Sequence, residues 1–264
     1  MHSAYSAADS CFRIDPLSVA GVLSLHYMTA TDAPRLSIII PAHNEEVLLG
    51  ATIDALHRAA RTVGEDYEVV VVDDSSTDRT ADVARAHGAR VVRAEVHQIA
   101  AARNAGARAS RGDMLVFVDA DTIVQPHVLG EAIAALQKGA VGGGASAEFE
   151  ASAPRWAHAA IRFAAWILRT AGWAAGCFFF VRREPFERVG GFDERYFASE
   201  EIHLSRALKR LGRFVILRHA VLTSARKAEV YTMRHSLWLM LRMLWPGSLK
   251  RREGLEFWYT RHKS

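Results

Sequence analysis

Cysteine is almost missing from this chain: Cys11 and Cys177 stand alone among 264 residues. Two thiols so far apart make neither a disulfide framework nor a thiolate zinc site, which leaves a reducing compartment as the default. Long apolar runs are missing too. A spanning helix needs ~18 consecutive apolar residues, and the richest stretch, residues 157–181, is broken by Arg162 and Arg169. The first thirty or so residues lack a basic start leading into a continuous apolar core, so no signal peptide is expected there. Translation from Met28, just ahead of the polar leader Thr29 to Pro34, is a further expectation. No interleaving of aromatic and basic residues marks a nucleic-acid surface, and no nucleic-acid partner is expected.

What is present fits one globular domain. Half of the residues are hydrophobic and 23% are charged, enough apolar mass for a sizeable core. The formal net charge of +4 suits an anionic nucleotide or a membrane surface as a partner. Residues 1–33 are expected to be an N-terminal extension outside the fold, residues 34–225 the domain, and residues 226–264 a basic and aromatic helical tail.

Strand-length apolar runs alternate with helix-period segments. Leu36 to Ile40 leads to a helix from about Glu46 to Val63, with Ile53, Leu56, Ala60 and Val63 on one face. Tyr67 to Val72 is apolar on both faces, as a buried parallel strand should be. Helices through His87 and from Ile99 to Ala109 flank a short strand at Arg90 to Val92, and Met114 to Val118 makes the next strand. Pro126 suits a first helical turn, ahead of an inward stripe through Leu136 and a Gly-rich strand over residues 140–149. Gly176 to Val181 reads as another buried strand. This βαβαβ order predicts an α/β fold with a Rossmann-like, mostly parallel sheet flanked by helices, whose ligands lie beyond the carboxyl ends of the strands.

Three polar clusters fall at those ends: Asn44-Glu45-Glu46, Asp73-Asp74 and Asp119-Ala120-Asp121. Any one is an ordinary turn, but their convergence on one rim predicts a site for a nucleotide and a hard divalent cation. A helix from about Ser199 to Leu211 carries Glu200 and Glu201 in its first turn, with Ser199 as its expected N-cap. Carboxylates there complement the helix dipole. At ~100° per residue they also point to the edge of the apolar stripe, where an acid serves chemistry. Periodicity leaves both readings open.

Several blocks, taken in order, resemble the inverting, nucleotide-sugar-dependent glycosyltransferases of family 2, with the GT-A fold. They are residues 36–46 (Leu-Ser-Ile-Ile-Ile-Pro-Ala-His-Asn-Glu-Glu), residues 68–78 around Asp73-Asp74, Ala102-Arg103-Asn104-Ala105-Gly106, Asp119-Ala120-Asp121, and Gly190-Gly191-Phe192-Asp193 followed by Glu200-Glu201. The resemblance implies transfer of a glycosyl group from a nucleoside diphosphate sugar to an acceptor hydroxyl, with Mn2+ or Mg2+ as cofactor. By that likeness Pro41, Ala42, Asn44 and Glu45 line the nucleotide pocket, Asp74 holds the base and Arg103 lies near the phosphates. Asp119 contacts the sugar or ribose and Asp121 the metal. Glu201 is the general base, with Glu200 its rival because the pair here is Glu-Glu.

His203 replaces an acid common in the family and reads as a helix-surface histidine. The Gln-x-x-Arg-Trp block of the processive synthases is missing, so polymer synthesis is not expected. A sugar nucleotidyltransferase would carry a Gly-rich basic loop after the first strand, where Pro41 to Glu45 stands instead. A catalytically inactive nucleotide-sugar-binding module is the remaining rival. In the tail, Trp238, Trp245, Arg234, Arg242 and Lys250 with Leu237, Leu241 and Leu244 suit either an anionic membrane surface near a lipid-linked acceptor or packing on the domain. The expected location is cytoplasmic, free or peripheral on the inner face of the membrane.

Overall fold

A strand that is apolar on both faces needs a layer on each, and helices supply both layers here. The computed structural model describes residues 34–224, apart from residues 152, 175 and 198. The N-terminal extension, the start at Met28 and the helical tail therefore lie outside the described residues. β1 (Leu36–Ala42), α1 (Leu49–Val63), β2 (Tyr67–Asp74), α2 (Thr80–Ala86), β3 (Arg90–Ala94), α3 (Ile99–Ala109) and β4 (Met114–Val118) alternate in the expected order. The short β5 (Thr122–Ile123), α4 (Pro126–Gln137), β6 (Gly142–Phe149), α5 (Arg155–Ala171), β7 (Phe178–Arg182), α6 (Arg183–Arg188), α7 (Glu200–Lys209) and β8 (Phe214–Thr223) follow.

The strands form one sheet in the order β3-β2-β1-β4-β7-β6-β8-β5. β1, β2, β3 and β4 are parallel neighbours, with Ile38 beside Val69 and Val116. β7 then enters antiparallel between β4 and β6, setting Phe178 opposite Val118. The chain just ahead of β7 thus arrives at the rim where β1, β2 and β4 end. β6 and β8 are parallel, and β5 closes the edge antiparallel to β8.

The core lies on both faces. Ile38, Val116, Phe178 and Phe180 face the layer of α1 and α4. Ile39, Phe117, Phe179 and Val181 face that of α3, α6 and α7. Each fully buried Phe contributes about 2 kcal/mol. Gly106 lets α3 lie directly on the sheet, since a Cβ there would overlap Ile39 Cγ2.

Two expected helix starts differ. α1 begins at Leu49 rather than near Glu46, because the Glu46 N–H is held by Asp78 Oδ2 (3.2 Å) and its carboxylate accepts the Arg79 N–H (3.1 Å). Ser199 does not cap α7: its backbone is left-handed (φ 61°, ψ 22°), and no side-chain hydrogen bond closes the turn. A side-chain cap needs extended backbone at that position.

Candidate active site

The loops leaving β1 and β2 are laced to each other. Asn44, at φ 55°, donates its N–H to Ser76 Oγ (3.0 Å) and accepts the Thr77 N–H on Oδ1 (2.8 Å). Glu45 N–H donates to Thr80 Oγ1 (2.8 Å). His43 Nδ1–H donates to the Asp74 carbonyl (2.6 Å), which sets its tautomer because a carbonyl only accepts. Pro41 and Ala42 close β1 beneath these contacts, Ala42 buried. Asp74 itself is buried: Oδ1 accepts the N–H groups of Val96 (2.9 Å) and His97 (3.0 Å), and Oδ2 that of Gln98 (3.2 Å). Its carboxylate fixes the segment that enters α3.

The second assembly is built on Arg103, which is 1% exposed and not a surface cation. Nη1 donates to Glu200 Oε1 (2.8 Å) and Glu201 Oε1 (2.6 Å), and Nη2 to Asp119 Oδ1 (2.8 Å) and the Gly176 carbonyl (2.8 Å). The guanidinium also lies 5.3 Å from the centre of the Phe192 ring. All four terminal hydrogens are thus turned inward. Where the sequence reading puts Arg103 beside phosphates, the structure has it reach the rim through the carboxylates it holds.

Three carboxylates around one buried cation shift the ionisation of the groups packed among them. Burial opposes the charge on Arg103, but Glu201, Asp119 and Glu200 outweigh it and hold the guanidinium more firmly protonated than usual. Burial, and next the charge of Glu201, push the Glu200 carboxyl well above the ordinary carboxylate range, against the pull of Arg103. The Cys177 thiol beside them is pushed up by burial and by Asp119, Asp121 and Glu201, so it stays neutral. Glu200 and Glu201, expected at the edge of the apolar stripe, are both buried. Glu201 is the more accessible, with 11% of its side chain exposed against 2% for Glu200.

Asp119 and Asp121 mark the end of β4. The Asp119 N–H donates to the Cys177 carbonyl (3.3 Å), its carbonyl accepts the Thr122 N–H (3.1 Å), and its side chain is 30% exposed. The Asp121 carbonyl accepts the Ser224 N–H (3.2 Å). Asp121 offers hard carboxylate oxygens, the donor type that Mn2+ and Mg2+ take. Among the described residues no three His, Cys, Asp or Glu side chains form a complete cage. That donor set fits a cation sharing one or two carboxylates with water and a diphosphate.

Four contributors carry no site role in the sequence analysis. Asn104 grips the turn after α6, accepting the Phe192 N–H on Oδ1 (2.9 Å) and donating from Nδ2 to the Phe192 carbonyl and Glu194 Oε1 (both 2.9 Å). Gln98 Nε2 donates to the carbonyls of Glu194 and Tyr196. Together they tie the segment before α7 to α3. Gly176 and Cys177 form the floor; a Cβ on Gly176 would overlap Glu201 Oε1. The available signal is the polar pair Arg103-Asn104, set mid-helix among the alanines of α3 and buried where the third polar residue, Arg108, is not. His203, the expected surface histidine, stacks on Tyr196 with ring centres 3.8 Å apart.

Residues 37–190 match the model of the family described as glycosyl transferase family 2. The chain is 40% identical over 108 residues to a validoxylamine A glucosyltransferase of Streptomyces hygroscopicus subsp. limoneus, a match covering 39% of this chain and 24% of that protein. It is 38% identical over 93 residues to an undecaprenyl-phosphate 4-deoxy-4-formamido-L-arabinose transferase of Pseudomonas paraeruginosa, covering 33% and 27%. These matches span about a quarter of each relative. A mannosyltransferase from Pyrobaculum calidifontis, solved with GDP-Man and Mn2+, shares the fold at a TM-score of 0.58 and 22% identity, over 80% of this chain and 62% of that one. Among the described residues no helix is long and apolar enough to cross a membrane.

Proposed function

The chain belongs to glycosyl transferase family 2 and has the GT-A fold, and we propose that it transfers a glycosyl group from a nucleoside diphosphate sugar to an acceptor hydroxyl, with inversion and with a divalent cation. One observation carries this reading. Arg103 gathers Asp119, Glu200 and Glu201, the last of them 98 residues away in the chain, onto the rim where the parallel strands end. An acid set of that kind suits proton removal facing a bound donor.

Glu201, the more accessible of the pair, takes the proton of the acceptor hydroxyl. The acceptor oxygen then bonds to the anomeric carbon from the face opposite the diphosphate, whose bond to that carbon breaks with the electron pair leaving on the phosphate oxygen. One displacement gives inversion. A cation on Asp121, Mn2+ or Mg2+, would offset the charge growing on the departing diphosphate. Arg103 orients Glu201 and Asp119, and Glu200, its pKa raised by burial, lies beneath them. Pro41, Ala42, Asn44 and Glu45, with Asp74 and the segment 96–98, form the wall for the base and ribose. Given the relative named for undecaprenyl phosphate, a lipid-borne acceptor is worth assaying beside soluble ones.

Thermal shift with UDP-, GDP-, TDP- and CMP-sugars, with and without Mn2+ or Mg2+, tests the donor site. One nucleoside diphosphate sugar should stabilise the parent only with metal, and Asp121→Ala should lose that response. Glu201→Gln should keep donor binding and lose turnover by about 10²–10⁴-fold. Full turnover by Glu201→Gln would remove Glu201 as the base.

A further inference from the structure

Half-turn by half-turn, α5 breaks the pattern of the other long helices. α1 buries eight of its fifteen residues, whereas α5 buries only Ala157 of seventeen. Yet α5 is apolar on its outer side: Phe163 is 59% exposed, Trp166 62% and Ile167 37%, the two rings stacked 6.0 Å apart. A helix apolar nearly all round is ordinarily enclosed by something. Its inner side rests on β6 across an apolar crevice of about 50 Å3 lined by Ala145, Ile161, Ala165, Leu168 and Ile216 among others.

Charge indicates what lies on the outer side. Arg155, Arg162 and Arg169 recur every seven residues, so at ~100° per residue they form a row drifting only about 20° per step. That row flanks the arc of Phe163, Trp166 and Ile167. All three arginines are exposed, and none pairs with a carboxylate among the described residues. Acids are sparse along these segments: residues 151–183 and 202–224 hold ten of the 33 Lys and Arg and none of the 29 Asp and Glu, with Glu148 and Glu150 just ahead of α5 and Glu131 paired with His219 of β8. These segments meet in space. Lys209 Nζ donates to the Ala171 carbonyl (2.7 Å), Arg206 lies over the Trp173 ring at 4.5 Å, and Arg169 Nη2 donates to the carbonyls of Leu217 (3.0 Å) and Arg218 (3.1 Å).

We propose that the outer face of α5 docks on the surface of an anionic lipid bilayer, with Phe163, Trp166 and Ile167 in the headgroup region and Arg155 and Arg162 on lipid phosphates. A helix lying in the interface takes this form, aromatic and aliphatic on one arc and cationic beside it, with arginine stems covering apolar surface while their heads stay wet. A second copy of this chain presents the same arginine-rich face and the tail is itself rich in Lys and Arg, so neither offers a matching run of acids. α5 runs into the loop whose Gly176 carbonyl holds Arg103, which brings the candidate active site next to the lipid surface. The docking rests on α5 alone and requires no turnover.

The full chain is mixed with vesicles of phosphatidylcholine alone or with ~30% phosphatidylglycerol at ~0.15 M salt, and bound protein is measured by flotation. Binding should require phosphatidylglycerol and weaken with salt. The pair Phe163→Ser and Trp166→Ser, and separately the pair Arg155→Gln and Arg162→Gln, should each weaken it by about tenfold or more. Both double variants should melt as the parent does, with the same donor-dependent shift if the parent shows one. No binding by the parent would overturn the proposal. So would binding that ignores both double variants and is lost with Trp238→Ser and Trp245→Ser in the tail. A concentration-dependent dimer that Phe163→Ser with Trp166→Ser dissociates would overturn it too, assigning the face to a second copy.

Discussion

Arg103 and the arginines of α5 use the same side chain to opposite ends. Arg103 is buried, all its terminal hydrogens are taken, and three carboxylates surround it. Arg155 and Arg162 are exposed on a helix with no acid of its own, while Arg169 is tied to the carbonyls of Leu217 and Arg218. A buried cation is held by its partners and in turn holds them, so it acts as structure. An exposed cation without partners contributes little to the fold and is available to something outside it. The difference lies in which carboxylates the topology delivers, because Glu200 and Glu201 reach Arg103 only after the chain has crossed the sheet through β7.

The largest expected effect comes from removing the structural cation. Arg103→Met leaves Asp119 and the two glutamates without their common partner in a desolvated site. Breaking a buried ion pair from one side costs about 3–5 kcal/mol, and urea unfolding should show a loss of that size together with loss of turnover. A loss below about 1 kcal/mol would place Arg103 among the cations that the fold does without. Gly176→Ala probes the same cluster more gently. The new Cβ meets the carboxylate end of Glu201, which must shift against Arg103, at a smaller cost in stability than removing Arg103 itself. A displacement near 1 Å lowers kcat by about 100-fold, with donor binding unchanged in a thermal-shift titration. An unchanged kcat would mean that the position of Glu201 does not govern the reaction.

The contrast also marks what was legible in the sequence. Val69 to Val72 ending in Asp73-Asp74, and Met114 to Val118 ending in Asp119, declare parallel strands buried on both faces with acids at their tips, because such strands admit no polar alternation. Helix α3 matched its expected bounds of Ile99 to Ala109 for a similar reason. Where Arg103 points was not legible: a cation among alanines reads as solvent-facing or ligand-facing, and its burial is decided by carboxylates 97 and 98 residues away. Nor could periodicity separate capping glutamates from functional ones, since both begin a helix. The exposure of Phe163 and Trp166 escaped because hydropathy records that a face is apolar, not whether anything covers it.

Glu200→Gln tests the ionic state of the cluster. With its folded pKa raised above the usual value near 4.5, Glu200 binds a proton in the folded protein that the unfolded chain has released. Its contribution is fully present below about pH 4.5 and is lost as pH climbs toward the raised pKa, by up to about 1.4 kcal/mol per pH unit. The neutral glutamine cannot lose it. Urea midpoints at pH 5, 6 and 7 should therefore show Glu200→Gln gaining on the parent as pH rises. Parallel profiles would mean that Glu200 is ionised like an ordinary carboxylate and that Arg103 balances all three charges.

The smallest effect belongs to Arg162. It is exposed, makes no ion pair with a described residue, and stands amid an apolar arc whose neighbours do not depend on its charge. Without lipid, Arg162→Gln should change unfolding free energy by less than about 0.5 kcal/mol, the range of ordinary surface substitutions. That near-silence separates it from Arg103, since the same chemical deletion would differ roughly tenfold between the two sites. A loss above about 1 kcal/mol would show that the fold depends on Arg162 as it does on Arg103. The two kinds of arginine would then be one kind, and the outer face of α5 would belong to the fold rather than to a bilayer.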